Sequence, residues 1–262
     1  MGTATAGRDS GIPLLDREQI ELKASLEERH WWYRGRRRIV LEAIERLRLP
    51  AEARLLDAGC GSGAMLDHLR RFGSVTGVDV NVAAVEYALE RGAGPVKTAA
   101  VDHLPFADQE FDLVLCLDVL EHVPDDRQVL AELRRVSSKG GFLIASVPAY
   151  PALWSPHDVA AGHCRRYRGG ELRARAEDAG WRVLRETSFN TLLLPAAACV
   201  RIAARARRAR PRSNLLSTPR WADRALELPL RLEAAAIRRG RSLRAGLTQL
   251  AVFENPSGTG RE

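Results

Sequence analysis

The chain has 262 residues, 45% hydrophobic and 28% charged, with a formal net charge of +7. That balance excludes a collagen-like or disordered chain and fits one α/β domain with added segments. No stretch reaches the ~20 apolar residues that span a bilayer, residues 1–12 lack a signal-peptide core, and the four cysteines (Cys60, Cys116, Cys164, Cys199) form no CxxC pair, which suits a cytoplasmic, reducing setting.

In chain order, a helical cover is expected over 14–47, followed by alternating strands and helices. Strands are predicted at 53–58, 74–79, 95–100, 111–117, 140–147, 181–188 and 247–254. Helices are predicted at 63–71, 82–91, 125–137 and 170–179, with Gly140 and Gly180 as stops. Strand–helix alternation argues for a parallel sheet covered on both faces. The chain is thus read as a single domain: cover 1–47, core 48–188, a two-helix insertion at 189–246, and a last strand at 247–254.

The most telling run is Leu55-Leu56-Asp57-Ala58-Gly59-Cys60-Gly61-Ser62-Gly63. An apolar strand ends in a carboxylate and turns through glycines into a helix expected near Ala64. Gly59 and Gly61 let a ligand lie against bare backbone, and the following helix aims unpaired N–H groups at it. A second strand ends at Asp79, twenty residues after Gly59, the spacing of a carboxylate that grips ribose hydroxyls. Asp57 separates two cofactor classes. It would repel a pyrophosphate lying over the turn, whereas S-adenosylmethionine brings an ammonium and a sulfonium that it attracts.

Together with Val101-Asp102-His103-Leu104-Pro105-Phe106 and Phe111-Asp112-Leu113-Val114-Leu115-Cys116-Leu117-Asp118-Val119-Leu120-Glu121-His122-Val123, these motifs resemble class I S-adenosylmethionine-dependent methyltransferases over about residues 28–188. The resemblance implies a Rossmann-like α/β fold: a seven-stranded, mostly parallel sheet, the last strand antiparallel. It also implies that Asp57 and Gly59 contact the methionine part, Asp79 the ribose, and Asp102 with His103 the adenine. Leu117 would pack near the donor. The segment Glu28-Arg29-His30-Trp31-Trp32-Tyr33-Arg34-Gly35-Arg36-Arg37-Arg38 would fold over the cofactor; a helix from Gly35 would turn Arg37 towards its carboxylate.

Methyl transfer to an alcohol needs a base within hydrogen-bond reach. His122 after strand four, and His157, His163 and Tyr167 after strand five, are the candidates. Arg165 and Arg166 could pair an acidic acceptor bidentately. Asp118, Glu121 and His122 have i, i+3, i+4 spacing, which would set them on one helical face. The triad resembles the Glu-x-x-Glu-His pattern of metal-dependent ubiquinone-pathway O-methyltransferases and small-RNA 2′-O-methyltransferases, with Asp118 in place of the first glutamate. A later histidine, His157 or His163, could complete a shell for Mg²⁺ or a similar ion, although no metal is the favoured reading.

The insertion carries the charge. From Arg201 to Arg244 there are thirteen arginines against Asp223, Glu227 and Glu233. Two helices are expected, an apolar one from 191 that turns arginine-rich and one over Trp221–Arg239, broken by Pro211-Arg212-Ser213-Asn214. The bland reading, a lid with solvated arginines, is preferred over peripheral contact with the inner face of a membrane through 191–244. The expected function is methyl transfer from S-adenosylmethionine to a small-molecule or lipid-linked acceptor, at oxygen. The alternatives are a metal-assisted RNA 2′-O-methyltransferase, a non-catalytic donor-binding protein, and a nicotinamide-dependent dehydrogenase.

Overall fold

A computed structural model describes residues 14–207 and 219–257. The predicted break at 211–214 and the polar segment 1–12 lie outside them.

Helix α1 (Arg17–Arg29) starts on a capping box: the Asp16 carboxylate accepts from the Gln19 N–H, and the Gln19 side chain accepts from the Asp16 N–H. Helix α2 (Trp31–Ile44) follows after one residue, and His30 caps it through Nδ1. Then come β1 (Ala53–Ala58), α3 (Leu66–Leu69), β2 (Gly73–Asp79), α4 (Val82–Glu90), β3 (Val96–Thr98) and β4 (Phe111–Leu117). The chain continues through α5 (Asp126–Val136), β5 (Ser137–Pro148), α6 (Pro156–Ala160), α7 (Glu171–Asp178) and β6 (Arg182–Phe189). Helices α8 (Leu194–Ala206) and α9 (Arg220–Arg238) precede β7 (Thr248–Glu254).

The seven strands form one sheet in the order β3-β2-β1-β4-β5-β7-β6. Neighbours are parallel except at β7, which runs antiparallel to both β5 and β6. Successive residues face opposite cores: Leu55, Leu113 and Ile144 pack on one side, Leu56, Val114 and Leu143 on the other. A strand buried on both faces reads as an unbroken apolar run, so β1 and β4 are legible in sequence to the residue. The sheet thus has the expected Rossmann-like α/β architecture.

Two expectations are corrected. The helix after the glycine turn starts at Leu66, not near Ala64, and runs only four residues before a 3₁₀ turn at Arg70–Phe72. Gly61 and Gly63 both hold positive φ (53° and 76°), so the turn extends further than the motif alone suggests. Gly140 is no helix stop: α5 ends at Val136, and Gly140, at φ 78°, lies inside β5, where its N–H donates to the Asn255 carbonyl. Gly180, at φ 88°, does follow α7 as expected.

The cover and the insertion pack together. A Cβ on Gly35 of α2 would overlap the Leu230 side chain of α9, so the missing side chain is what lets the two helices approach. Ala234 and Ile237 of α9 share a core with Ile39 and Leu250. Every acid of α9 is turned inward; Glu227 meets Arg34, and Glu233 accepts from the N–H groups of Asn190 and Leu192.

Candidate functional site

A cleft of about 1760 Å³ lies beyond the carboxyl ends of β1, β2 and β4, where ligands bind in open α/β sheets. It is lined by Arg37, Asp57, Gly59, Gly61, Asp79, Asp102, His103, Leu117, Asp118, Glu121, His122, His157 and His163. Every candidate from sequence is therefore gathered there except Tyr167 and Arg165.

At one end the glycine turn folds over the strand tips. The Gly59 and Cys60 N–H groups donate to the Val78 carbonyl at 2.8 and 2.9 Å. Gly59 stands at φ 87°, and a Cβ there would strike Val119. The Asp79 carboxylate accepts from the Gly61 N–H at 2.8 Å and the Asn81 N–H at 2.9 Å, which clips the turn to β2. Asp57 is buried, and burial lifts its carboxyl to about 7; Asp79 and Glu27 push the same way, and Arg36 opposes them. Glu27, which sequence reasoning missed, reaches from α1 to take the Ser62 hydroxyl proton in a hydrogen bond. This end of the cleft is thus rich in carboxyl groups, and a cation entering it would favour their charged forms. Asp102 and His103 line the cleft beyond β3, with His103 largely exposed.

The aromatic–basic segment does lie over the cleft, but in a different helical phase from that expected. Because α2 begins at Trp31 and not at Gly35, the guanidinium near Asp57 is that of Arg36. It pairs with Asp118 and stacks on Trp32 and Tyr33, 5.0 and 5.5 Å from the ring centres. Arg37 lines the cleft and donates to the Glu27 carbonyl at 3.3 Å.

At the other end stand the imidazoles. His122 Nδ1 faces the Gly162 carbonyl at 3.3 Å, and His163 Nδ1 faces Asp158 at 3.0 Å. At His122 the carbonyl acceptor at Nδ1 fixes the proton there and leaves Nε2 with a lone pair. Burial lowers His122 and His157 to about 4, so both are neutral imidazoles. The His122 and His163 rings meet edge to face at 4.8 Å. Buried Asp158 is the hub behind them: it accepts from Arg166 at 2.7 Å, Ser155 at 3.0 Å and, from α8, Arg201 at 3.2 Å. Burial would raise this carboxyl, but its bonds to His163 and the arginines prevail and hold it far below the ordinary range. Arg201 is lowered to about 10, chiefly by burial. Neither it nor the Asp158 hub was legible in the sequence.

Two candidates leave the chemistry. Tyr167 is fully buried in the core beside β5, and its hydroxyl donates to Asp126 at 2.5 Å. Burial and that carboxylate raise the phenol, so it serves packing and not proton transfer. Arg165 likewise braces Asp126 and the Pro124 carbonyl. The metal triad is redrawn as well. Residues 120–122 form a 3₁₀ turn and Asp118 sits at φ 57°, so no α-helical face unites Asp118, Glu121 and His122. Asp118 is the counter-ion of Arg36 and accepts from the Ser146 hydroxyl at 3.0 Å. The group that does converge is Glu121, His122 and His163, with ligand atoms within 4.8 Å of one another. Glu121 Oε2 is buried without a hydrogen-bond partner, and burial raises the carboxyl well above its usual value. Two imidazole nitrogens and one carboxylate suit a transition ion better than magnesium, which prefers oxygen ligands.

A methyltransferase-domain family model matches residues 56–145. The ubiquinone biosynthesis O-methyltransferase of Saccharophagus degradans is 38% identical over 103 residues, covering 37% of this chain and 44% of that protein. The namesake from Xanthomonas axonopodis pv. citri is 32% identical, over 56% of this chain and 68% of that protein. The chain belongs to the class I S-adenosylmethionine-dependent methyltransferases. It spans under half the length of the first curated relatives it matches. The methyltransferase fold extends further: a chain from the complex of the Haloferax volcanii Trm112 methyltransferase activator with a methyltransferase superposes with a TM-score of 0.60 at 21% identity, covering 94% of this chain and 99% of that one. Membership in this methyltransferase family removes the dehydrogenase reading and agrees with a donor of cationic sulfur at the carboxyl-rich end.

Proposed function

We propose that this chain transfers the methyl group of S-adenosylmethionine to an oxygen atom of a small-molecule or lipid-linked acceptor. The observation that carries the reading is the polarity of the cleft: Asp57, Asp79 and the glycine turn at one end, the imidazoles of His122, His157 and His163 at the other, with Leu117 also in the lining. The donor would lie with its amino group and sulfonium near Asp57, its ribose on Asp79 and its adenine by Asp102 and His103. In the transfer the S–CH₃ bond breaks as the O–CH₃ bond forms, and the hydroxyl proton leaves to an imidazole Nε2. Holding both partners in line supplies much of the acceleration. The neutral state of His122 suits it as the proton acceptor. The name of the curated relatives supports oxygen as the acceptor atom.

A second reading of the same end has its own support. Glu121, His122 and His163 would hold a divalent transition ion, and the orphaned Glu121 oxygen is the observation that favours it. Such an ion, when bound, would acidify the acceptor hydroxyl. The test is donor turnover over phenols, sugars, carboxylates, isoprenoid lipids and short RNAs, with and without a chelator. Product methylated at oxygen from a phenol or lipid supports the proposal. Turnover only on RNA, or donor binding with no product from any acceptor, overturns it. Chelator sensitivity that disappears in Glu121→Gln favours the ion, whereas indifference to chelator removes it.

A further inference from the structure

We infer that α8 and the outer face of α9 form a docking surface for an anionic lipid bilayer. Helix α8 reads Leu194-Pro195-Ala196-Ala197-Ala198-Cys199-Val200-Arg201-Ile202-Ala203-Ala204-Arg205-Ala206, yet none of its residues is buried. A helix so apolar, left half-exposed, forgoes the burial that normally stabilises one. Val200 and Ile202 are both open to solvent. On α9, Trp221, Leu228 and Leu232 recur at helical spacing along the side away from α2, 74%, 55% and 57% exposed.

Charge selects the occupant. Arg224, Arg231 and Arg238 lie on the exposed side of α9 beside those apolar side chains, Arg231 paired with Glu227 and Arg238 with Glu42, and Arg205 is exposed on α8. The acids are elsewhere: α8 has none, and Asp223, Glu227 and Glu233 of α9 are all buried. A surface of tryptophan and leucine beside exposed arginines, with the acids of α9 buried beneath it, matches the boundary between anionic headgroups and acyl chains. No described helix is long and apolar enough to cross a membrane, so the contact would be peripheral. Helix α8 also borders the cleft through Ala197, Val200 and Arg201. If the proposed function holds, an amphiphilic acceptor could enter from the lipid side; the docking itself does not depend on that function.

The test is co-flotation of the full chain with phosphatidylcholine vesicles, with and without phosphatidylglycerol, at low and high salt. Binding is expected only with phosphatidylglycerol, falling with salt. It should weaken by about tenfold or more in Leu228→Ser/Leu232→Ser and in Arg224→Glu. Unchanged donor affinity and melting temperature in those variants show an intact fold; a variant that fails this control is replaced by Trp221→Ala. Absent binding, equal binding to neutral vesicles, or binding that survives the substitutions overturns the inference. So does a dimer in sedimentation that Leu228→Ser/Leu232→Ser dissociates, since a second copy would then be the occupant.

Discussion

Arg36 and Asp118 form an ion pair between α2 and the residue that follows β4, and the carboxylate is held for it by the Ser146 hydroxyl. Asp118 adopts φ 57°, a region that aspartate and asparagine tolerate and β-branched residues do not. Asp118→Asn should keep the backbone but strip Arg36 of its counter-ion, at a cost of about 1–3 kcal/mol in unfolding free energy. Asp118→Val should cost more, since it adds backbone strain of about 1–3 kcal/mol. Urea unfolding of the two variants checks the order. Equal stabilities would show that the φ angle carries no strain.

Asp57 gives donor binding a predictable pH dependence. Burial sets its free carboxyl at about 7. A cationic donor binds the ionised form, so binding draws a proton off near neutrality. Affinity should be level above pH 7 and fall by up to about tenfold for each unit below it. Asp57→Asn should be weak and flat across the same range. Calorimetry in buffers of different ionisation enthalpy measures the released proton directly; no release at pH 7 would refute the assignment.

What the sequence shows and hides follows from range. Strands β1 and β4 are legible because burial on both faces demands continuous apolar runs, and Asp57 and Asp79 are legible because they end such runs. The positive φ of Gly61 and Gly63 is local too, but it delays α3 in a way the glycine spacing alone does not reveal. Arg36 and Arg37 both line the cleft, and only the start of α2 at Trp31 tells which guanidinium comes near Asp57. Glu27 on Ser62 and Arg201 on Asp158 join residues 35 and 43 positions apart, and no periodicity marks such a pair. Of the expected metal ligands Glu121, His122 and His163 converge and Asp118 does not; His163 meets Glu121 because the chain after β5 folds back, its Cys164 N–H donating to the Glu121 carbonyl at 2.7 Å.

The contact between Gly35 and Leu230 ties the insertion to the cover. Gly35→Ala should force α9 outward and cost about 1–3 kcal/mol by overpacking. Pairing it with Leu230→Ala should return part of that loss, because the new methyl then enters the space the leucine vacates. A double-mutant cycle by thermal unfolding reads the coupling. Additive losses would mean the helices relax apart without cost.

Tyr167 and His157 were equivalent as sequence candidates, and the structure separates them. Tyr167 donates to Asp126, which Arg165 and Arg175 also hold, so Tyr167→Phe removes one hydrogen bond of about 1 kcal/mol and nothing from the cleft. Its turnover should stay within about twofold of the parent chain, with a lower melting temperature. His157 lines the cleft as a neutral imidazole beside His163, with ring centres 6.3 Å apart. His157→Ala should leave donor affinity intact and lower turnover by about 10²-fold if it takes the acceptor proton, or by a few-fold if it only positions the acceptor. The two variants measured together for turnover, donor affinity and melting temperature test the division. A Tyr167→Phe enzyme as slow as His157→Ala would mean that the phenol reaches the reaction by a route the closed core does not provide.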